Sequence, residues 1–293
     1  MRKALIFGTA LIIFSSIRST AQEVPVIDSV TTVKQAANQP VYKIKKGIDY
    51  PLTIATAAWG ILGSQKIYGR DTIPSSEIMG LDRKTINNVD RWVSYNYSKA
   101  AAKVSDYFFV GSMPFPLILL FDKKIRKDGP KVGVLYLEAI GITSAVYVTS
   151  AMLADRHRPY SYNPDVDMGK RTRGGARNSF FAGHVAIVAT SMFFTAQTYI
   201  NYHPEMKNKW ILYTGAGLIT STTGYLRLKA GQHFLTDVLT GAAIGTLSGL
   251  LTPYFHKIRH FENARLTILP NFQQSSSGGF TLLYNLDKHR NSK

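Results

Sequence analysis

Residues Gly224–Asp237 read GYLRLKAGQHFLTD; in them Arg227 is followed six positions on by His233, and His233 four positions on by Asp237. On a helix, positions i and i+4 share a face, so the spacing predicts that Asp237 reaches the His233 imidazole. A carboxylate on one ring nitrogen fixes the tautomer and leaves the other free to attack. Arg227 is placed just before that helix, and its planar fork of donors suits a phosphate or another tetrahedral anion. The three read as a nucleophile, its orienter and an anion clamp. Taken alone, an H-x-x-x-D pair is more often only a hydrogen bond along a helix.

Two upstream stretches extend the pattern. Arg158-Pro159 follows Asp155-Arg156-His157 and opens a polar loop, and Asn178–His184 reads NSFFAGH, with Gly183-His184 leading into an apolar run. The order R-P, then G-H, then R-x5-H-x3-D resembles the type 2 phosphatidic acid phosphatase family, which shares its site with vanadium haloperoxidases and class A bacterial acid phosphatases. The match covers roughly Ala151 to Asp237. The resemblance implies that His233 is the nucleophile and forms a phosphohistidine, that Asp237 orients it, and that His184 protonates the leaving alkoxide. It implies that Arg158 and Arg227 hold the phosphate, helped by the backbone N–H groups of Gly183 and His184 at a helix start. No metal or other cofactor is implied. The chain departs from the family pattern at Ala151, where a lysine is expected, and at Ala182 and Leu226, where serines are. Arg156, two residues before Arg158, is the cation that would offset the missing lysine; the plainer alternative is a solvated loop residue. Lys170, Arg171, Arg173 and Arg177 lie between the motifs, to meet anionic headgroups or simply water.

The chain has 293 residues, no cysteine and a formal charge of +17. Disulfide and thiolate chemistry are therefore excluded. The aromatic residues do not interleave with the basic ones as a nucleic-acid stacking platform requires, so no nucleic-acid partner is expected. The basic residues instead flank apolar runs, as at the ends of membrane helices, and some would hold an anionic substrate.

Taken in order, residues 1–21 read as a secretory signal: Arg2 and Lys3, an apolar Ala4–Ile17, then Ser19-Thr20-Ala21. Residues 22–104 form an N-terminal region with a possible first membrane helix, Pro51–Ile67. Arg70–Lys103 is amphipathic, with Ile86, Val89, Trp92 and Val93 at helical spacing, which predicts a helix lying at a membrane surface. Residues 105–258 form the core, with apolar runs at Tyr107–Phe121, Val132–Leu153, Phe181–Ile200, Trp210–Leu226 and Phe234–Pro253. Each approaches the length that crosses a bilayer. The predicted fold is all-α, an integral membrane bundle of five to six helices. In the tail, 259–293, Leu266–Leu269 and Phe280–Leu286 flank a Ser/Gly-rich turn and suggest a small hairpin.

Lys123, Lys124, Arg126, Lys127 and Lys131 fall within one short connection, which the positive-inside rule puts in the cytoplasm. Counting spans from there, Arg158, His184 and Arg227–His233 all reach the opposite, periplasmic face. A cleaved signal and this count leave Pro51–Ile67 no single crossing; either the signal stays, or Pro51–Ile67 does not span.

The function expected is a phosphatase of the inner membrane, acting at the periplasmic face on a lipid-linked phosphate or diphosphate, with the phosphorylated lipid substrate and membrane lipids as partners. The alternative is a periplasmic acid phosphatase, soluble or membrane-attached, with the same His/Arg/Asp site. A non-catalytic protein with a degraded site is a third reading. A zinc hydrolase using His157, His184, His233 and Asp237 is a fourth, against which no H-E-x-x-H pattern stands in the sequence.

Overall fold

Among the described residues, six long helices carry the fold: α1 (Lys46–Tyr68), α2 (Lys99–Ser112), α3 (Gly129–Ala154), α4 (Gly183–Tyr202), α5 (Lys209–Lys229) and α6 (Leu235–His256). The computed structural model describes residues 40–258, 266–272 and 278–284; the signal-like start lies outside them. Local chemistry sets the helix ends. The Ser98 hydroxyl accepts from the Ala101 N–H to start α2, and Gly129-Pro130 opens α3 where a missing N–H costs nothing. At the end of α3, Asp155 takes a left-handed conformation, φ 39°.

Helix α4 is the axis of the bundle. Sixteen of its 20 residues are buried, so it meets other helices on all sides rather than on one stripe. Three of its hydroxyl residues are paired within the bundle. Thr190, Ser191 and Thr195 each donate to the carbonyl four residues back, and Thr190 and Ser191 also meet Thr143 and Tyr136 of α3. Helix α1 runs alongside α3, with Gly60 against Ser144 and Gly63 against Val148.

Gly241, Gly245 and Gly249 form a stripe along α6 that lies on the backbone of α4. A Cβ on Gly245 would stand 2.1 Å from the Ala186 carbonyl oxygen. Small residues at such a seam let two helices approach closely. Alanine is intrinsically the better helix former by about 1 kcal/mol, but the clash is with backbone that cannot rotate away. Gly245→Ala is therefore expected to destabilise the protein by about 1–3 kcal/mol, read as a lower unfolding temperature in detergent. An unchanged melting curve would remove the close-packing account.

Among the described residues, three stretches are long and apolar enough to cross a membrane: Lys99–Phe121 (α2 with the 3-10 turn that continues it), α3 and α6. Outward-facing Ile54, Ile61, Leu117, Phe121, Leu239 and Leu247 are exposed. In a bilayer such residues form the lipid face. Helices α1, α4 and α5 complete the bundle, and α4 is screened by its neighbours rather than apolar throughout.

The amphipathic segment differs from the expectation. Arg70–Lys103 is not one surface helix but a chain of short turns, Ser75–Met79, Arg83–Thr85, Asn88–Arg91 and Trp92–Tyr95, before α2 begins at Lys99. Asp82 and Asn87 each cap a new turn instead of continuing the last. Ile86 and Val93 are buried with Ala182, Val185, Leu228, Phe234 and Val238. The segment thus folds onto the helix ends where the three motifs lie. In the tail, β1 (Leu266–Phe272) pairs antiparallel with β2 (Gly278–Tyr284).

Candidate active site

The three motifs sit at one end of the bundle, at the C-terminal ends of α3 and α5 and the N-terminal ends of α4 and α6. His233 is in the turn before α6, not on the helix, so the i, i+4 geometry does not apply. Its Nδ1 lies 2.6 Å from the Ser179 carbonyl oxygen, and the ring is 1% exposed. A carbonyl only accepts, so Nδ1 carries the hydrogen and Nε2 keeps its lone pair. Burial, and after it the positive charges of Arg158 and Arg227, push the His233 imidazole well below its usual range. Both causes favour the neutral ring, with its hydrogen on Nδ1 and Nε2 unprotonated.

The expected Asp237–His233 contact is corrected by this geometry. Asp237 accepts instead from Ser179 Oγ at 2.6 Å, from the Phe234 N–H at 2.9 Å and from Arg156 Nη1 at 2.5 Å. It caps α6 and fixes Ser179, and Ser179 in turn fixes His233. The orienting path runs through a second residue because His233 precedes the helix that carries Asp237.

Arg156 is also elsewhere than expected. Its Nη1 bonds Asp237 and its Nη2 bonds Asp90 at 2.7 Å, with the guanidinium over the Phe234 ring. Both terminal nitrogens are committed to carboxylates, so the reading of Arg156 as a phosphate ligand replacing the lysine gives way. Asp90 is fully buried and also accepts from the Thr236 N–H and hydroxyl. Burial pushes its carboxyl up, but the bonds from Thr236, Arg156 and Asn87 outweigh it and hold the group below the usual range. Near Ala151, Arg70 donates to the Ala151 and Met152 carbonyls and pairs with Asp155.

Arg158 and Arg227 are buried, at 8% and 3% exposure. Arg158 bonds the Gln232 side-chain oxygen at 2.6 Å and the Gly175 carbonyl at 3.1 Å. Arg227 donates to Asp106 at 2.8 Å, and its buried Nε meets no acceptor. Asp106 Oδ1 is also 3.3 Å from His184 Nε2, and the His184 ring packs on Phe109, three residues further along α2. One carboxylate oxygen thus sits between the cation and the imidazole. Gly183 and His184 open α4, where first-turn N–H groups have no helical partner. A Cβ on Gly183 would strike the Tyr147 ring at 2.9 Å.

Asp106 is a residue that the sequence reading missed. An oxygen anion on Arg227 occupies a place that a phosphate oxygen would want. Asp106→Asn removes that competing charge, and Asp106 is half exposed, so solvent weakens the effect. The substitution is expected to tighten vanadate binding about five-fold, roughly 1 kcal/mol, measured by inhibition. Weaker vanadate binding would show instead that Asp106 supports the site.

The other candidates disperse. His157 bonds Glu77, which also pairs with Arg177; Arg171 is buried on the Ser161 carbonyl; Lys170 lies over Tyr97 and Tyr160. Among the described residues, His157, His184, His233 and Asp237 do not converge as metal ligands. An apolar pocket of about 520 Å³ runs from Gly183 and His184 between α1, α2, α3 and α4, lined by Tyr68, Phe109, Leu137, Ile140 and Tyr147.

The fold is that of a helical membrane protein, with buried Arg158, Arg227 and His233 gathered at one end. Residues 132–261 match the model of the PAP2 superfamily. The lipid A 4'-phosphatase of Porphyromonas gingivalis is 28% identical over 148 residues, 45% of this chain and 54% of that protein. The chain thus spans about half the length of that curated relative. Two solved structures are similar: a transmembrane PAP2-type phosphatidylglycerolphosphate phosphatase from Bacillus subtilis (20% identity, TM-score 0.44, 69% of this chain and 94% of that one) and LpxE from Aquifex aeolicus (22%, 0.39, 55% and 90%).

Proposed function

We propose that the chain is a membrane phosphatase that hydrolyses a lipid-linked phosphate monoester or diphosphate through a phosphohistidine, with its site on the periplasmic side of a bacterial inner membrane. The observation that carries this reading is the meeting of Arg158, Arg227, His184 and His233, with His184 also lining an apolar pocket. A buried guanidinium with an unpaired Nε calls for an anion, and the pocket beside His184 suits an acyl or isoprenyl chain.

His233 Nε2 attacks phosphorus in line, and a P–N bond forms as the P–O bond to the lipid breaks. His184, entering the step as the imidazolium, gives its proton to the leaving oxygen and becomes neutral. His184 then takes a proton from water, which attacks phosphorus, breaks the P–N bond and releases phosphate. Arg158, Arg227 and the N–H groups of Gly183 and His184 stabilise the charge on the equatorial oxygens. Asp237 and Ser179 hold His233 in place. The basic residues of 123–131 lie at the far end of the bundle from the site, which supports a periplasmic site through the positive-inside rule.

The test is phosphate release by purified protein in detergent, on phosphatidate, phosphatidylglycerol phosphate, an isoprenyl diphosphate, a lipid A phosphate and p-nitrophenyl phosphate. Preference for one of the lipids, blocked by vanadate as a mimic of the five-coordinate transition state, is the expected result. Equal use of the soluble ester would favour a non-specific acid phosphatase. No release from any substrate would point to a degraded site.

A further inference from the structure

At the other end of the bundle, three titratable side chains from three helices meet away from the phosphate site. They are Asp49 in the first turn of α1, Glu138 in α3 and His256, the last residue of α6. His256 Nε2 is 3.3 Å from Asp49 Oδ2 and 3.7 Å from Glu138 Oε2. The side chains of Asp49 and Glu138 are about as buried as core residues, at 6% and 5% exposure, and His256 is at 13%. Asp49 is 19 residues from Tyr68, which lines the His184 end of the apolar pocket, so the cluster lies about 28 Å along α1 from that end at 1.5 Å per residue.

Two further observations point to a ligand. The His256 Nδ1 is 2.7 Å from the Thr252 carbonyl oxygen, an acceptor only, so Nδ1 carries a hydrogen. The ring is thereby turned so that Nε2 faces the two carboxylates, as a backbone carbonyl turns a metal-binding histidine. Glu138 Oε2 is buried and has no hydrogen-bond partner. Two buried carboxylates against one imidazole leave an excess of negative charge, and an orphaned carboxylate oxygen in a candidate membrane helix is costly unless a cation meets it.

We propose that Asp49, Glu138 and His256 bind one divalent transition-metal cation, of the Zn²⁺ or Mn²⁺ class, that ties α1, α3 and α6 together. The ligand atoms all lie within 4.8 Å of one another. A cation held at about 2.0–2.2 Å by one nitrogen and two oxygens needs ligand separations near those seen for His256. A donor set of one imidazole and two carboxylates suits borderline metals better than Ca²⁺ or Mg²⁺, which take mainly oxygen. Lys45 supports the site by donating its backbone N–H to Asp49 Oδ2 at 2.6 Å, and the adjoining chain is anchored where the Lys43 N–H meets the His256 carbonyl. The site's role is structural and independent of the chemistry at His233.

The test uses the full chain in detergent, with no polyhistidine tag, stripped with EDTA and then dialysed against Zn²⁺ or Mn²⁺. Elemental analysis should find one metal ion per chain, and the unfolding temperature should rise by several degrees on addition. Glu138→Gln and His256→Gln should each lose the bound metal and the temperature rise. If either variant fails to fold, the wild-type stoichiometry and shift still decide. No retained metal and no shift with either cation would overturn the proposal and leave the cluster as carboxylates sharing a proton. Full stoichiometry in both folded variants would overturn it as well, since the metal would then sit elsewhere.

Discussion

His233→Ala is expected to lower kcat by about 10⁴-fold or more, because a covalent route loses its attacking atom and no other group takes its place. The fold should survive, since the ring makes one hydrogen bond, to the Ser179 carbonyl. Phosphate release on the preferred lipid and a melting curve in the same detergent give the two readings. Wild-type-like turnover by a folded His233→Ala protein would end the nucleophile assignment. The same burial sets a pH expectation. Protonation of Nε2 removes the lone pair, and this imidazole is held well below its usual range. The loss of nucleophile on the acid side of kcat/KM is therefore expected below the ordinary imidazole midpoint, about pH 6.5. A decline centred above that value would mean that His233 is not held neutral.

Arg156→Ala is expected to cost about 3–5 kcal/mol of stability, because it strips the cation from two buried carboxylates, Asp90 and Asp237. The sequence assigned this arginine to phosphate in place of the lysine missing at Ala151. The two roles separate in a kinetic and stability comparison. If Arg156 held phosphate, Ala151→Lys would restore part of the activity lost in Arg156→Ala. With Arg156 holding Asp90 and Asp237, Ala151→Lys restores nothing, whereas adding Asp90→Asn to Arg156→Ala recovers part of the stability by removing one unpaired charge. Unfolding by heat or denaturant in detergent measures it. An Arg156→Ala protein as stable as wild type would return the residue to the role of a surface cation.

The motif residues were legible because their chemistry is local. R-P, G-H and R-x5-H-x3-D each fix residue types at short spacing, and apolar runs of membrane length mark the helices between them. The sequence alone therefore determined the helical class, the family resemblance and the placing of Arg158, His184 and Arg227–His233 at one end. The basic connection at 123–131 is likewise a matter of composition.

Only the tertiary structure decided which groups touch. His233 and Asp237 are four apart, and a helical reading pairs them; the helix starts two residues after His233, at Leu235, and Ser179 comes between. Asp90 and Asp106 carry no motif. Asp90 reaches Arg156 and Thr236 because short turns fold 70–98 over the helix ends, and Asp106 meets Arg227 because α2 packs beside α5. Asp49, Glu138 and His256 lie far apart in the chain, and three helices have to pack before they form a cluster. Spacing in sequence constrains neighbours along one helix. Contacts between helices depend on rotation and crossing, which residues at a seam such as Gly245 on Ala186 set jointly and which no single segment records.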